Sequence, residues 1–471
     1  MREAFRVKED VMGKAVVAAG AIGVAALTLV GGSYAIGGNI ETGFRDSMTA
    51  MSSPAVQIRV LDYKRGIFGA EAHTLWTLND GDEPIDFRVS HHIDHGPFPA
   101  GRAAQVRSDV VLPADLKEGF DAALQGRSPL EVLTLVGWGG EMQHRISSPD
   151  YRGKAGEAMD LVWGGINGEI RISADRQQAK GRIDLPLLDV RDPDGNVLVV
   201  ENLALTLDSA RPQQYRFWTG PSALSVGRAS FSARGGEASF NLDGLKMESQ
   251  AALDGEVVNM SVDFGVKQMV GGGETVDDLS FVLALERIDA GALDAITRSV
   301  EQTAGEAADI EAQQAELMGA VMQQLPVMLK RSPAIELKRV GASLNEGRAE
   351  MGARIDYVGT EGEAGMNPFS DLVASLRVSI PKALLVRLIE VSERQSIVGY
   401  VTEMEIDASD AEIDQAVSAA VNERIAGITG NGVVLETDGL LTTDMRYKDG
   451  ALMVNGAPLD PEALGALGLP F

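Results

Sequence analysis

The sequence predicts an α+β protein, predominantly an elongated antiparallel β meander, with an N-terminal transmembrane helix and further helices in its C-terminal third. Three observations predict it. Residues 15–36 carry no charge; from Val56 to Leu285 short apolar and polar alternations recur between Gly, Pro, Asn and Asp; and after residue 290 the apolar spacing lengthens toward that of a helix. The organisation that follows is a tail and anchor over 1–37, a β-rich region over 38–290 and a mixed α/β region over 291–471.

The anchor comes first. A helix over Ala15–Ile36 would span about 30 Å at roughly 1.5 Å per residue, the thickness of a hydrocarbon core. Arg2, Arg6, Lys8 and Lys14 precede it. Basic residues are retained in the cytoplasm, so the body is expected on the far side of a single-pass membrane helix. Ser33-Tyr34-Ala35 also fits the small-x-small pattern of a signal-peptide junction, and either reading exports the body.

Ile40–Met51 reads as a short helix ended by Ser52-Ser53-Pro54. Strands follow. In Val56–Tyr63, Val56, Ile58 and Val60 share one face, and Gln57 and Arg59 the other. Ala70–Leu78 sets His73, Leu75 and Thr77 against Thr74, Trp76 and Leu78, and Ile85–Ser90 continues toward Gly96-Pro97. Pro113–Leu124 reads as an amphipathic helix with Leu116, Phe120 and Leu124 on one side. Strands are expected over 130–146, 161–173, 181–190, 196–207, 215–218, 223–233, 238–245, 257–266 and 279–285, with Asp192-Pro193-Asp194-Gly195 as a turn.

In the last third, helices are expected over Ala292–Gln324, stopped by Pro326, and over Lys382–Arg394 and Ala411–Ile428. Glu336–Asn345 and Arg348–Val358 alternate again. Leu440–Tyr447 and Ala451–Val454 form a hairpin through Lys448-Asp449-Gly450, and a short helix starts at Pro461.

Composition excludes several functions. The chain has no cysteine, so disulfides, thiolate metal sites and cysteine nucleophiles are ruled out. A net charge of -26 repels phosphate backbones and argues against nucleic-acid binding. With 53 glycines and only 5% aromatic residues, the body is expected to be rich in turns rather than built on a dense aromatic core.

Several separated pieces share one pattern: the basic N-terminus with its membrane helix; Asp62-Tyr63-Lys64-Arg65-Gly66-Ile67-Phe68; Ile93-Asp94-His95-Gly96-Pro97; and Lys448-Asp449-Gly450-Ala451-Leu452-Met453-Val454-Asn455-Gly456. Together they resemble the YdgA-like family of bacterial envelope proteins. The resemblance implies a bacterial inner-membrane protein with a cytoplasmic N-terminus, a periplasmic body and no established activity, so it carries over no catalytic residue. Tyr63, Arg65, Gly66, His95, Gly96, Pro97, Asp449, Gly450, Asn455 and Gly456 are its motif residues, read physically as strand ends and turns.

One cluster suggests chemistry. His91, His92, Asp94 and His95 lie within five positions and would ligate zinc if the chain turned among them, giving a periplasmic metal-dependent hydrolase as the alternative function. On a straight strand His92 and His95 face opposite ways, which favours a hydrogen-bonded structural role. Asp192–Asn196 lacks the glycine and glutamate of a calcium loop, since Val197 and Leu203 stand there. Carboxylate pairs such as Asp277-Asp278 are expected by abundance among 68 acidic residues. The preferred expectation is a non-enzymatic scaffold with no cofactor, binding a lipid or protein partner in the cell envelope. Small residues in the anchor and the helix after 290 are where copies of the chain would associate.

Overall fold

The computed structural model describes residues 40–459, apart from 53–55, 79–84, 96–100, 112–123, 125–126, 156–158, 237–238, 304–309, 360–370, 405–407 and 431. The anchor over 15–36, the junction at 33–35, Gly96 and Pro97, the helix expected over 113–124 except Leu124, and the helix from Pro461 lie outside the described residues. Among the described residues, no helix is long and apolar enough to cross a membrane. The chain divides into two compact units, one of residues up to 256 with 270–272 and 290–325, the other of 257–269, 273–289 and 326 onward.

The first unit opens with helix α1 (Ile40–Met51) and continues with strands β1 (Val56–Arg65), β2 (Gly69–Leu78), β3 (Ile85–His95), β4 (Ala104–Val111), β5 (Glu131–Val136), β6 (Met142–Ser148), β7 (Tyr151–Ala155), β8 (Met159–Trp163), β9 (Ile166–Ile172), β10 (Gln178–Arg191), β11 (Val197–Ala210), β12 (Gly220–Ser232) and β13 (Ser239–Asp254). Each of β1 to β5 pairs antiparallel with the next. β6 then pairs with β9 and β7 with β8, while β10 pairs with both β9 and β8 before the meander resumes through β11, β12 and β13. Alternation decides which face is buried. Ala70, Ala72, Thr74 and Trp76 point inward while Leu75 and Thr77 do not, and Trp76, Val89, Leu130, Val132 and Val190 form part of a filled core.

A crease crosses these strands at one register. The paired arms β6/β7 and β8/β9 break at Pro149-Asp150 and Gly164-Gly165, and Gly164 donates its N–H to Leu187 O at 2.7 Å. Beside them the ladder skips Pro186 opposite Asn202, Asn202 opposite Gly227, and Gly227 opposite Gly244. Pro186 cannot donate to a ladder and Asn202 sits at φ 54°, so the sheet bends there without a misplaced donor.

The second unit contains β14 (Val257–Gly271), β15 (Glu274–Asp289), β16 (Ala334–Leu344), β17 (Gly347–Tyr357), β18 (Leu372–Pro381), β19 (Leu435–Thr437), β20 (Leu440–Lys448), β21 (Ala451–Val454) and β22 (Ala457–Pro458). β15 to β18, β20, β21 and β22 pair antiparallel in that order, with β19 added to β20. Helices α2 (Ala290–Thr303), α3 (Ile310–Leu329), α4 (Lys382–Glu403) and α5 (Asp410–Gly430) complete the described elements, and Ile389, Val417 and Val421 are buried between α4 and α5. Ser409 and Glu412 cap the start of α5 reciprocally, Ser409 N–H donating to the Glu412 carboxylate at 2.8 Å.

Several expectations need correction. Pro326 does not stop a helix but lies inside α3, which runs on to Leu329. A proline removes one intrahelical bond without forbidding the following turn, and the helix ends through short i→i−3 bonds such as Arg331 N–H to Met328 O. Tyr215–Trp218 is a turn segment rather than a strand, stacked through Tyr215 and Phe217 at 5.0 Å. The run expected over 130–146 is two strands, because Gly137, Gly139 and Gly140 reverse the chain. Strands β4, β7, β18, β19 and β22 answer to no expectation.

Candidate functional site

The histidine cluster does not converge. β3 runs straight through His95, so His91 and His95 share a face about 13 Å apart along the strand, whereas His92 points the other way. His92 pairs with Asp94 at 3.2 Å on the exposed face. His91 is buried, its ring nitrogens 2.9 Å from the Thr74 hydroxyl and 2.8 Å from that of Ser108, while Trp76 donates its indole N–H to Thr74 at 2.8 Å. Phe44 of α1 covers the imidazole edge-on at 4.9 Å. Among the described residues, no group of His, Cys, Asp and Glu has the geometry of a metal site. His91, His92 and His95, on which the hydrolase alternative depends, are therefore not brought together by β3.

Burial lowers the His91 pKa to about 3, so the imidazole is neutral and satisfies its two hydroxyl partners by donating from one nitrogen and accepting at the other. Ser108 beside His91 is a hydroxyl next to a base, yet Ser108 is 5% exposed and a substrate could not reach it. His144 repeats the pattern: it is buried, 2.9 Å from the Thr134 hydroxyl, with its pKa lowered to about 4 by burial. His73 is half-exposed and bonds Asp62 at 3.0 Å, which holds that carboxyl below its usual range.

The C-terminal sheet separates two chemistries. Its cross-strand rungs Leu285–Ile335–Ile355–Ala374–Tyr447, Leu283–Leu337–Ala353–Leu376–Met445 and Phe281–Val340–Met351–Val378–Thr443 run over β15, β16, β17, β18 and β20. Fifteen positions on one face thus carry no charge. The alternating positions carry the ions. Arg354 donates to Glu286 at 2.8 Å, Glu336 at 2.9 Å and Asp356 at 2.7 Å; Arg287 reaches Asp356 at 3.1 Å; and Asp444 takes Arg377 and Arg446 at 3.2 and 3.0 Å. These bonds raise the Arg354 pKa and lower those of Glu286 and Asp356.

The apolar face is exposed at four of these positions, on β15, β16 and β17. Ile335 and Ile355 are 50% and 47% exposed, Phe281 and Met351 just over a third. The face was not singled out in the sequence, although the alternation of Glu336–Asn345 and Arg348–Val358 carries five of its fifteen positions.

The family described as bacterial protein of unknown function, DUF945, matches residues 12–462. The chain belongs to that family. No curated protein and no solved structure matches it. The description of DUF945 assigns no activity, and the YdgA-like resemblance is consistent with this membership.

Within the DUF945 match, the described motif residues build turns and clamps. Tyr63 packs on Phe44 at 5.8 Å beneath Arg45, and burial raises its pKa. Arg65 ends β1, the Gly66 N–H donates to Gly69 O at 2.7 Å, and the His95 N–H donates to Phe68 O at 2.8 Å. Asp449-Gly450 and Asn455-Gly456 form two-residue hairpin turns with φ of 52° and 76°, and 50° and 81°, angles that favour Gly and Asn. Asn455 does more: its amide donates to Gly432 O and Val433 O at 3.1 and 2.9 Å, and its oxygen accepts the Asp444 N–H at 2.9 Å.

Proposed function

We propose that the chain is a non-enzymatic, membrane-anchored envelope protein that holds lipid acyl chains against the open face of its C-terminal sheet. The observation that carries this reading is the uncharged face over β15, β16, β17, β18 and β20, on which Phe281, Ile335, Met351 and Ile355 are exposed, opposite a face crowded with ion pairs. Acyl chains require hydrocarbon contact and no hydrogen bonds. A protein partner would bring backbone amides and a polar rim, for which the three rungs offer only Thr443 and Tyr447. Thr443 already donates to Val433 O at 3.0 Å. The uncharged segment over 15–36, behind four basic residues, supports placement in the inner membrane with the body in the periplasm.

The test is photocrosslinking in the intact cell. Benzoylphenylalanine replacing Ile355 is expected to yield lipid adducts by mass spectrometry, whereas the same group replacing Arg377, on the charged face, is not. Lipid adducts at neither position, or polypeptide adducts at Ile355, would refute the reading.

A further inference from the structure

The three most exposed large apolar side chains among the described residues are Ile67, Trp138 and Phe68, at 86%, 64% and 63%. All three lie at one end of one sheet. Ile67 and Phe68 form the β1–β2 turn, Gly69 pairs with Asp94 near the end of β3, Ala104 pairs with both His95 and Val136, and Trp138 follows Val136 in the β5–β6 turn. The exposure is built in. Gly66 N–H to Gly69 O and His95 N–H to Phe68 O pin the Ile67–Phe68 turn, and a side-chain Cβ at Gly69 would come within 2.7 Å of Ile93 O. Trp138 is held by its indole N–H, which donates to Gly101 O at 2.9 Å and ties two loops of this end together. A family motif thus fixes apolar side chains outward, where packing gains nothing.

α1 shows which way this end faces. Ser52, just past its C-terminus, bonds Ile58 near the start of β1, while Phe44, one turn from its N-terminus, packs on Tyr63 near the end of β1. The helix therefore runs antiparallel to β1, and its first residue, Ile40, lies toward the Ile67–Phe68 end. Only three residues, 37–39, lie in sequence between Ile40 and Ile36, where the expected membrane segment ends.

We propose that Ile67, Phe68 and Trp138 form a second membrane contact, inserting into the headgroup region of the bilayer that the N-terminal segment crosses. Exposed aliphatic and aromatic side chains at a turn tip favour burial at that interface, and the turn carries Lys64 and Arg65 at its base. The proposal rests on the anchored reading above for its orientation. It fixes the pose of the first unit, with the Asp192–Asn196 turn at the opposite end of the sheet.

The absence of cysteine makes the test clean. Full-length Phe68→Cys and Asp194→Cys proteins, each labelled with bimane, are reconstituted into vesicles of phosphatidylethanolamine and phosphatidylglycerol. The label at 68 is expected to be quenched by headgroup nitroxide lipids and shielded from aqueous iodide, and the label at 194 to show the reverse. Equal iodide quenching at both positions would overturn the proposal. Resistance of the vesicle association to alkaline carbonate reports the anchor separately. Resistance with an iodide-accessible label at 68 refutes the second contact and keeps the anchor; a shielded label at 68 without resistance supports the contact and refutes the anchor.

Discussion

His91 and His144 are held neutral by burial, with pKa values lowered to about 3 and about 4 from 6.5. Below pH 6.5 the unfolded chain binds protons that the folded chain refuses, so stability is complete above that pH and falls as acidity increases. Each histidine is expected to remove about 1.4 kcal/mol per pH unit between about pH 6.5 and its folded pKa. Urea midpoints measured at pH 7 and pH 5 check this, and His91→Gln with His144→Gln should flatten the slope whatever it does to absolute stability. Asn455→Ala is expected to lower stability by about 1–3 kcal/mol, because two carbonyls and one N–H lose their partner. Asn455→Gly, which tolerates the backbone angle equally, should cost nearly as much if the side-chain bonds are the cause.

Across elements, Arg354→Met leaves Glu286, Glu336 and Asp356 facing one another and is expected to destabilise the second unit by on the order of 2 kcal/mol. Ile355→Glu on the other face should leave the unfolding midpoint within about 0.5 kcal/mol, since Ile355 is already half-exposed. It should abolish lipid crosslinking from a benzoylphenylalanine at Ile335, its rung neighbour. Much of the β pattern was legible: Val56–Tyr63, Ala70–Leu78, both C-terminal hairpin strands and helix α5 follow directly from apolar spacing and turn residues. β4 was not, because Ser108 occupies an inward position and interrupts the apolar rhythm of Ala104, Val106 and Val110. The hydroxyl belongs there only because the register of β3 against β4 places His91 opposite it. The open face was hidden for a related reason: alternation identifies two faces of a strand but not which is left uncovered.

For the whole molecule, the anchored reading makes a topological prediction. Alkaline phosphatase fused after Phe471 is expected to be active and a cytoplasmic reporter at the same place inactive; the opposite pair would remove the envelope assignment together with the lipid and bilayer contacts. In both compact units most strands pair with their neighbours in sequence, the arms β6 to β10 and the β18–β20 pair being exceptions. That connectivity matters while the polypeptide is still being made. Over β1 to β6 a chain emerging end first need keep no sticky stretch waiting for a distant mate, because each new strand finds its template in the one just laid down. Folding is then expected to keep step with emergence, and chains arrested after β6 should already protect β1 to β5 against proteolysis.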